Sequence, residues 1–420
     1  MKKIYFKGFI LFIIVFALLF TMFPAMANDS DNNFNNDDNS LYEIFGKEYF
    51  NNYTKSVALL EDIYNSFPTD EQRNIKYPDA IGGIYFDELG CLVVLIVKNA
   101  NCEITATIQH LYTNNVIIRE VEYSYNLLRT TFDYLNNKIP NNTKNAAATN
   151  VQGISLDVIN NEIVVFLNEY SNNSIELFKR HVSNDSHIIF RKSFGLLSID
   201  DNPNEIIVDE DNFIMNSTTV RPGDPLYLRN AQGTLVSSGS IGYRATLNGL
   251  NGYTTAAHLR INGRYIQSGD NVYNRSGIRI GTIRRTQLTS SDVAFFQTLN
   301  TTDTNFVARG TLTPQTKNVI AGTPVTLDAR HGRDRRGFAR ALWAGNNSHG
   351  FWVSGVRATY SSQPGDSGGI VYVWNSTSDN GAAGITHGIF SAGSWPDGGN
   401  SIFTTISSHS TGNLLGIRPR

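Results

Sequence analysis

Pro364-Gly365-Asp366-Ser367-Gly368-Gly369 decides how this chain is read. The stretch follows the polar run Ser361-Ser362-Gln363 and enters the apolar run Ile370-Val371-Tyr372-Val373. A serine between glycines at the mouth of a strand is a good place for a nucleophile. The glycines allow positive φ and let a substrate carbonyl come close. Free N–H groups around such a turn can converge on a developing oxyanion. A serine alone is a poor nucleophile and needs a base, itself oriented by a third group.

Upstream, Thr255-Ala256-Ala257-His258 places a histidine after a strand of small residues, which let another chain segment approach the imidazole. Ser291-Asp292-Val293-Ala294-Phe295-Phe296 places an aspartate at the start of an apolar strand. A carboxylate there would be partly buried and could hold the histidine in one tautomer through Nδ1–H. Asp270, Asp303 and Asp328 compete for that place, but none opens an apolar strand.

The surroundings are all-β in texture. Short runs at Pro225–Leu228, Thr254–Ala257, Ile278–Ile283, Val293–Phe296, Val325–Leu327, Gly350–Val353, Ile370–Val373, Gly384–Phe390 and Ser401–Ile406 are separated by Gly, Asn, Asp and Ser clusters. That spacing argues for a sandwich or barrel.

The wording TAAH, then SDVAFF, then QPGDSGG, in the order His, Asp, Ser, resembles the chymotrypsin-fold (S1) serine proteases. Within them it is most similar to the secreted bacterial streptogrisin and α-lytic protease group, as is the start Arg221-Pro222-Gly223-Asp224-Pro225-Leu226-Tyr227. The resemblance implies an all-β double six-stranded barrel for the C-terminal half. It also implies Ser367 as nucleophile, His258 as general base and acid, and Asp292 as its orienting carboxylate. The oxyanion hole would be the N–H groups of Gly365 and Ser367. Ser391, Ala392 and Gly393 would line the pocket for the residue before the scissile bond. Relatives carry disulfides near the histidine and serine. Here Leu259 and Ser362 stand at those places, and no cysteine follows Cys102. Bacterial relatives also pair the aspartate before the serine with an internal arginine. Among Arg330, Arg333, Arg335 and Arg336, Arg330 is the choice here, the rest of Ala329–Arg340 being read as a solvated basic loop. His331, His349, His387 and His409 match no motif, though His387 lies near the expected substrate strand.

The rest of the 420 residues reads as a leader and a second folding unit. Lys2, Lys3 and Lys7 precede the apolar run Phe9–Phe23, and Ala25-Met26-Ala27 is a small-x-small cleavage site. Residues 1–27 are therefore a signal peptide, and the mature chain is expected to be secreted, without stable membrane association. Residues 28–40 are acidic, Asn-rich and disordered by composition. Residues 41–215 read as an α+β region with two similar halves. Helices are expected at Leu41–Phe67, Val121–Asn137 and Ser174–His181. Strands are expected within Ile81–Val97, Cys102–Gln109, Val151–Val158, Ile163–Leu167 and His187–Phe194. Cys91 and Cys102 flank a turn at Lys98–Asn101 read as a hairpin, and fit either structural thiols or one local bridge.

The resemblance makes this region a pro-segment that assists folding and inhibits until cleaved, near Phe213–Thr219, leaving 216–420 as the protease. The charge agrees physically. From Asn216 onward nineteen Lys and Arg face nine Asp and no Glu, while the preceding half is strongly acidic. Expected partners are peptide or protein substrates and the pro-region itself, in cis or in trans, with no nucleic acid, cofactor or metal. No acidic residue marks the pocket, so an uncharged apolar residue before the scissile bond is expected. The alternatives are a glutamate-preferring endopeptidase, were His387 or an arginine to reach the pocket, and an inactive S1-like binding or adhesion module.

Overall fold

The computed structural model describes residues 40–71, 75–100, 116–198, 218–288, 291–316, 319–373, 380–389, 400–405 and 417–419. The leader, the acidic segment, the Cys102–Gln109 strand and the expected boundary between the halves lie outside them.

The first half is built twice on one plan. Helix α1 (Ser40–Ser66) is kinked at Gly46 and precedes strands β1 (Ile81–Phe86), β2 (Leu92–Val97) and β3 (Val116–Val121). Helix α2 (Tyr125–Lys138) and the single turn α3 (Ala146–Thr149) precede β4 (Val151–Asp157) and β5 (Glu162–Leu167). Helix α4 (Asn172–His181) then leads to β6 (Ile188–Lys192). In each copy the first two strands are antiparallel and the third joins the second in parallel. The hairpin read at Lys98–Asn101 is not the pairing seen, because β2 has β1 on one edge and β3 on the other.

The helices follow from their spacing. Tyr49, Tyr53, Ile63 and Phe67 pack with Ile81, Leu92 and Val94 in one core. Leu128, Phe132 and Leu135 recur at three and four residues and pack on Ile154, Ile163 and Val165 in the other. Ser124 caps α2 by accepting the Leu127 N–H at 3.2 Å, and Ser171 caps α4 through the Ser174 N–H at 3.1 Å.

The second half forms two closed antiparallel barrels, as the resemblance implied. The first contains β7 (Pro225–Arg229), β8 (Leu235–Ser240), β9 (Arg244–Leu247), β10 (Leu250–Ala256), β11 (Asn271–Tyr273), β12 (Arg279–Gln287) and β13 (Val293–Thr298). β8 and β9 are two arms of one bent segment. The first arm pairs with β7 and the second with β10, which closes a ring through β13, β12 and β11 back to β7. After β14 (Gly310–Thr316), the second barrel contains β15 (Pro324–Ala329), β16 (Gly332–Asn346), β17 (Trp352–Ala358), β18 (Ile370–Val373), β19 (Asn380–Ile389) and β20 (Ser401–Thr405). Its ring runs β15-β16-β17-β20-β19-β18 and returns to β15.

One strand corrects the sequence reading. The Arg-rich stretch taken as a solvated loop is most of β16, 15 residues long. Arg333, Arg335 and Arg336 are strand side chains paired with buried or half-buried carboxylates, so charge alone misplaced them.

β16 also joins the halves. Leu342–Gly345 pairs antiparallel with Gly153–Leu156 of β4, so one sheet continues from the barrel into β5 and β6. Gln152 Nε2 donates to the Asn346 carbonyl at 2.9 Å, and Trp352 Nε1 donates to Asn136 Oδ1 at 2.7 Å. The first copy also touches the barrel. The Phe86 N–H donates to the Ala321 carbonyl at 3.0 Å, and the Phe45 ring lies 4.8 Å from that of Phe338. The ion pairs described below join residues within one half. Backbone pairing, side-chain hydrogen bonds and aromatic packing supply these contacts.

Candidate active site

The Pro364–Gly369 stretch forms two tight turns. The Asp366 N–H donates to the Gln363 carbonyl at 3.0 Å and the Gly369 N–H to the Asp366 carbonyl at 2.8 Å. Gly365 and Gly368 have φ of +91° and +89°, which a side chain would strain. At Gly368 a Cβ would also stand 2.5 Å from Thr255 Oγ1 and 2.7 Å from Ala256 N. Glycine therefore lets the serine turn press directly on β10, two residues before His258. The turn is stitched to β19 on its other side. The Gly368 N–H donates to the Thr386 carbonyl at 3.0 Å, and the Thr386 N–H to the Gly369 carbonyl at 2.8 Å.

His258 and Asp292 meet at the ends of the paired strands β10 and β13. Asp292 Oδ1 accepts the backbone N–H of His258 at 2.9 Å, and Oδ2 is paired with His258 Nδ1. The Asp292 carbonyl receives the Ala257 N–H at 3.4 Å. A carboxylate can only accept, so Nδ1 carries the proton and Nε2 is left as the basic nitrogen. Asp292 holds this grip at a φ of +41°, a left-handed conformation that aspartate tolerates better than most residues. Ser367, His258 and Asp292 are all buried.

Ser240, at the end of β8, is the residue that sequence reasoning missed. It lies in the Gly- and Ser-rich run Val236–Ser240, which gives no signal beyond small size. Its N–H donates to the Ser367 carbonyl at 2.8 Å and its Oγ to the Gly365 carbonyl at 3.1 Å. Its own carbonyl accepts Thr255 Oγ1 at 2.8 Å. One buried serine thus ties the serine turn of the second barrel to the histidine strand of the first.

Asp366 is 1% exposed. Its carboxylate accepts N–H groups from Gln363 at 2.8 Å and His331 at 3.2 Å, and its cation is Arg335. The choice of Arg330 is therefore corrected. The Arg330 guanidinium lies over the Tyr227 ring, 5.5 Å from its centroid, and donates to Ser238 Oγ. Arg330 stands in the short turn before β16, whereas Arg335 has entered the strand and reaches the serine turn. Arg333 pairs with Asp224 at 2.7 Å and Arg336 with Asp334.

The competing aspartates are engaged elsewhere. Asp270 pairs with Arg264 at 2.7 Å, Asp303 accepts from Thr298 Oγ1 at 2.8 Å, and Asp328 accepts the Asp334 N–H at 2.8 Å. Ser391, Ala392 and Gly393 lie outside the described residues. For His387 only the strand backbone is described. Among the described residues no group of three His, Cys, Asp or Glu side chains is placed to hold a metal ion, and no helix is long and apolar enough to cross a membrane. Cys91 is half-buried, and burial with the nearby Asp87 raises its thiol above the usual range. Cys102 lies outside the described residues.

His331 has a position no motif gave it. Burial and the nearby Arg330 and Arg335 lower its imidazole below the usual range, against an opposing pull from Asp366 and a hydrogen bond to the Pro364 carbonyl.

Comparison with known proteins gives three findings. A family model described as "Pro-like C-terminal domain" matches residues 126–193. No curated protein matches. Among solved structures, Nocardiopsis protease is similar at 24% identity with a TM-score of 0.38, covering 48% of this chain and 99% of its own. Thermobifida fusca protease A is similar at 23% and 0.37, covering 48% and 98%. Cellulomonas bogoriensis chymotrypsin is similar at 24% and 0.35, covering 48% and 98%.

Proposed function

We propose that the chain is a serine endopeptidase, exported and made as a pro-enzyme. The observation that carries this is the double grip of Asp292 on the backbone and ring of His258, at the end of the strand on which the Ser367–Gly368 turn is packed. Ser367 Oγ attacks the scissile carbonyl while His258 Nε2 takes its proton. The N–H groups of Gly365 and Ser367 hold the oxyanion. The His258 imidazolium, stabilised by Asp292, then protonates the leaving amine. Water, activated by the same imidazole, hydrolyses the acyl-enzyme. Substrate backbone is expected to pair with β19, and the Ser391–Gly393 segment to favour an uncharged apolar residue before the scissile bond.

The first half acts, in this reading, as a pro-region that templates and restrains the second barrel. Its strand β4 completes an edge of β16, and residues 126–193 carry the likeness to a Pro-like C-terminal domain. The leader at 1–27 directs export, and cleavage falls near Phe213–Thr219.

The test is fluorophosphonate labelling and peptide hydrolysis with wild type and Ser367→Ala. Loss of the nucleophile is expected to abolish labelling and lower kcat by about 10⁶-fold. A well-folded wild type that takes no label returns the chain to the class of binding modules. Profiling a peptide library tests the pocket, and a dominant Lys or Arg preference would sink the specificity reading. N-terminal sequencing of the secreted product locates the cleavage.

A further inference from the structure

His331 sits between Arg330 and Gly332, where β15 turns into β16. Its backbone N–H donates to Asp366 Oδ1 at 3.2 Å, which anchors this turn to the serine turn. Its ring nitrogen Nε2 lies 2.7 Å from the point that a Cβ on Gly365 would occupy. The imidazole therefore fills the space that a side chain at residue 365 would need. The Pro364 carbonyl is near enough to the same ring to favour its protonated form.

Two other groups confine Gly365. Arg330 Nη1 lies 3.3 Å from the same point, and Ser240 Oγ holds the Gly365 carbonyl. The peptide before Gly365 has no such anchor within its own turn. Glycine can rotate that peptide at little steric cost. A trans peptide sets its N–H antiparallel to its C=O, so whatever fixes the Pro364 carbonyl also fixes the direction of the Gly365 N–H.

We propose that His331 is a positioning residue for oxyanion stabilisation: its imidazole, seated against Pro364 and Gly365, holds the peptide that carries the Gly365 N–H. This rests on the reading of Gly365 as an oxyanion donor. His331 touches no reacting atom and acts through that peptide. Its effect belongs to the transition state, where the donor is used, and not to ground-state binding of substrate.

The experiment compares wild type, His331→Ala and His331→Gln, each expressed from the full chain. A glutamine amide can still donate to the Pro364 carbonyl. Loss of one oxyanion donor costs about 10²–10³ in kcat, so partial misdirection of that donor should cost about tenfold. His331→Ala is expected to lower kcat by about tenfold with KM within about twofold. A peptide aldehyde, whose hemiacetal oxygen occupies the oxyanion position, should lose affinity in the same proportion. His331→Gln should recover most of both. An unchanged kcat in folded His331→Ala overturns the proposal. So does a loss of kcat without loss of aldehyde affinity. If His331→Ala gives no cooperative melt, His331→Gln decides alone: near wild-type kcat and aldehyde binding support the proposal, and a folded variant reduced tenfold overturns it. A folded wild type that takes no fluorophosphonate removes the endopeptidase reading and this inference together. Labelled wild type with an indifferent His331→Ala removes the inference alone.

Discussion

The halves on either side of residues 199–217 bury different kinds of polar group. Among the described residues, the first half buries hydroxyls, amides and one histidine: Ser56, Thr131, Gln152, Ser155, Asn161, Ser174 and His187. The second half also buries hydroxyls and an amide, Ser240, Thr254 and Asn347 among them, and adds the ionisable groups His258, Asp292, Asp328, Arg357 and Asp366. A buried ionised group costs far more than a buried hydroxyl unless it is paired and hydrogen-bonded. The first half is thus a packing unit, in which helices lie on short sheets and polar groups are few and neutral. The second half carries charges in its interior, and each carboxylate there is met by backbone N–H groups and a cation or imidazole. His258, Asp292 and Asp366 gather at the serine turn and the strand ends beside it, while Asp328 lies on β15 and Arg357 on β17. The contrast separates a part of the chain selected for shape from a part selected for placed charge.

The largest expected effect tests that contrast at Asp366. Arg335→Ala leaves a carboxylate that is 1% exposed with only backbone donors. Breaking a buried pair in this way costs about 3–5 kcal/mol, read as a fall in the chemical denaturation midpoint and a loss of kcat. Arg330→Ala removes a cation from the Tyr227 face and should cost about 0.5–1 kcal/mol. Arg129→Ala, in the exposed pair with Asp133 of the first half, should cost about 0.2–0.5 kcal/mol. If Arg330→Ala proves the costlier barrel variant, the assignment of the counter-ion fails. If Arg129→Ala matches Arg335→Ala, the contrast between the halves fails.

The next effect concerns the seam. A Cβ at Gly345 would stand 2.4 Å from Trp343 Cζ2 and 2.6 Å from the Gln152 carbonyl oxygen. Gly345→Val should push β4 off β16 at about 1–3 kcal/mol, the usual cost of overpacking. Hydrogen exchange in the full chain should show loss of protection in β4 and β5 and little change in β10 and β13. Equal loss in both places would make the halves one cooperative unit.

How much of this was legible beforehand depended on how local each signal was. Val293–Phe296 reads as a buried strand from its own residues, and the structure buries all four. His258 and Asp292 were legible because each ends a short apolar or small-residue strand, and the chemistry of the pair is distinctive. β16 was hidden because Arg333, Arg335 and Arg336 look solvated until their partners are known. Two of those partners, Asp224 and Asp366, are distant in sequence and arrive only with the tertiary fold. The bent pair β8 and β9 was hidden for another reason. Ser237-Ser238-Gly239-Ser240 has no apolar period, and its contribution is made by main-chain groups and the hydroxyls of Ser238 and Ser240. The pocket residues Ser391, Ala392 and Gly393 stay where the sequence left them, as a proposal.

The smallest expected effect is a pH dependence confined to the first half. His187 is buried, with Nε2 2.7 Å from Thr131 Oγ1 and the Tyr123 ring 5.2 Å away. Burial lowers its pKa from the usual 6.5, with Asp185 pulling weakly the other way. Between the folded and unfolded values the unfolded chain binds more protons, so stability rises with pH in that window. The contribution of neutral His187 is complete above about pH 6.5 and is lost as the pH falls through the lowered folded value. Amides of α2 and β6, which flank this histidine, should exchange faster at pH 5 than at pH 7.5 after correction for intrinsic rates. His187→Phe fills the site without a titrating group and should flatten that dependence while β10 and β13 keep theirs. An acid-induced loss in α2 and β6 that survives His187→Phe would place the sensitive group elsewhere. The neutral interior of the first half would then have to be explained without His187.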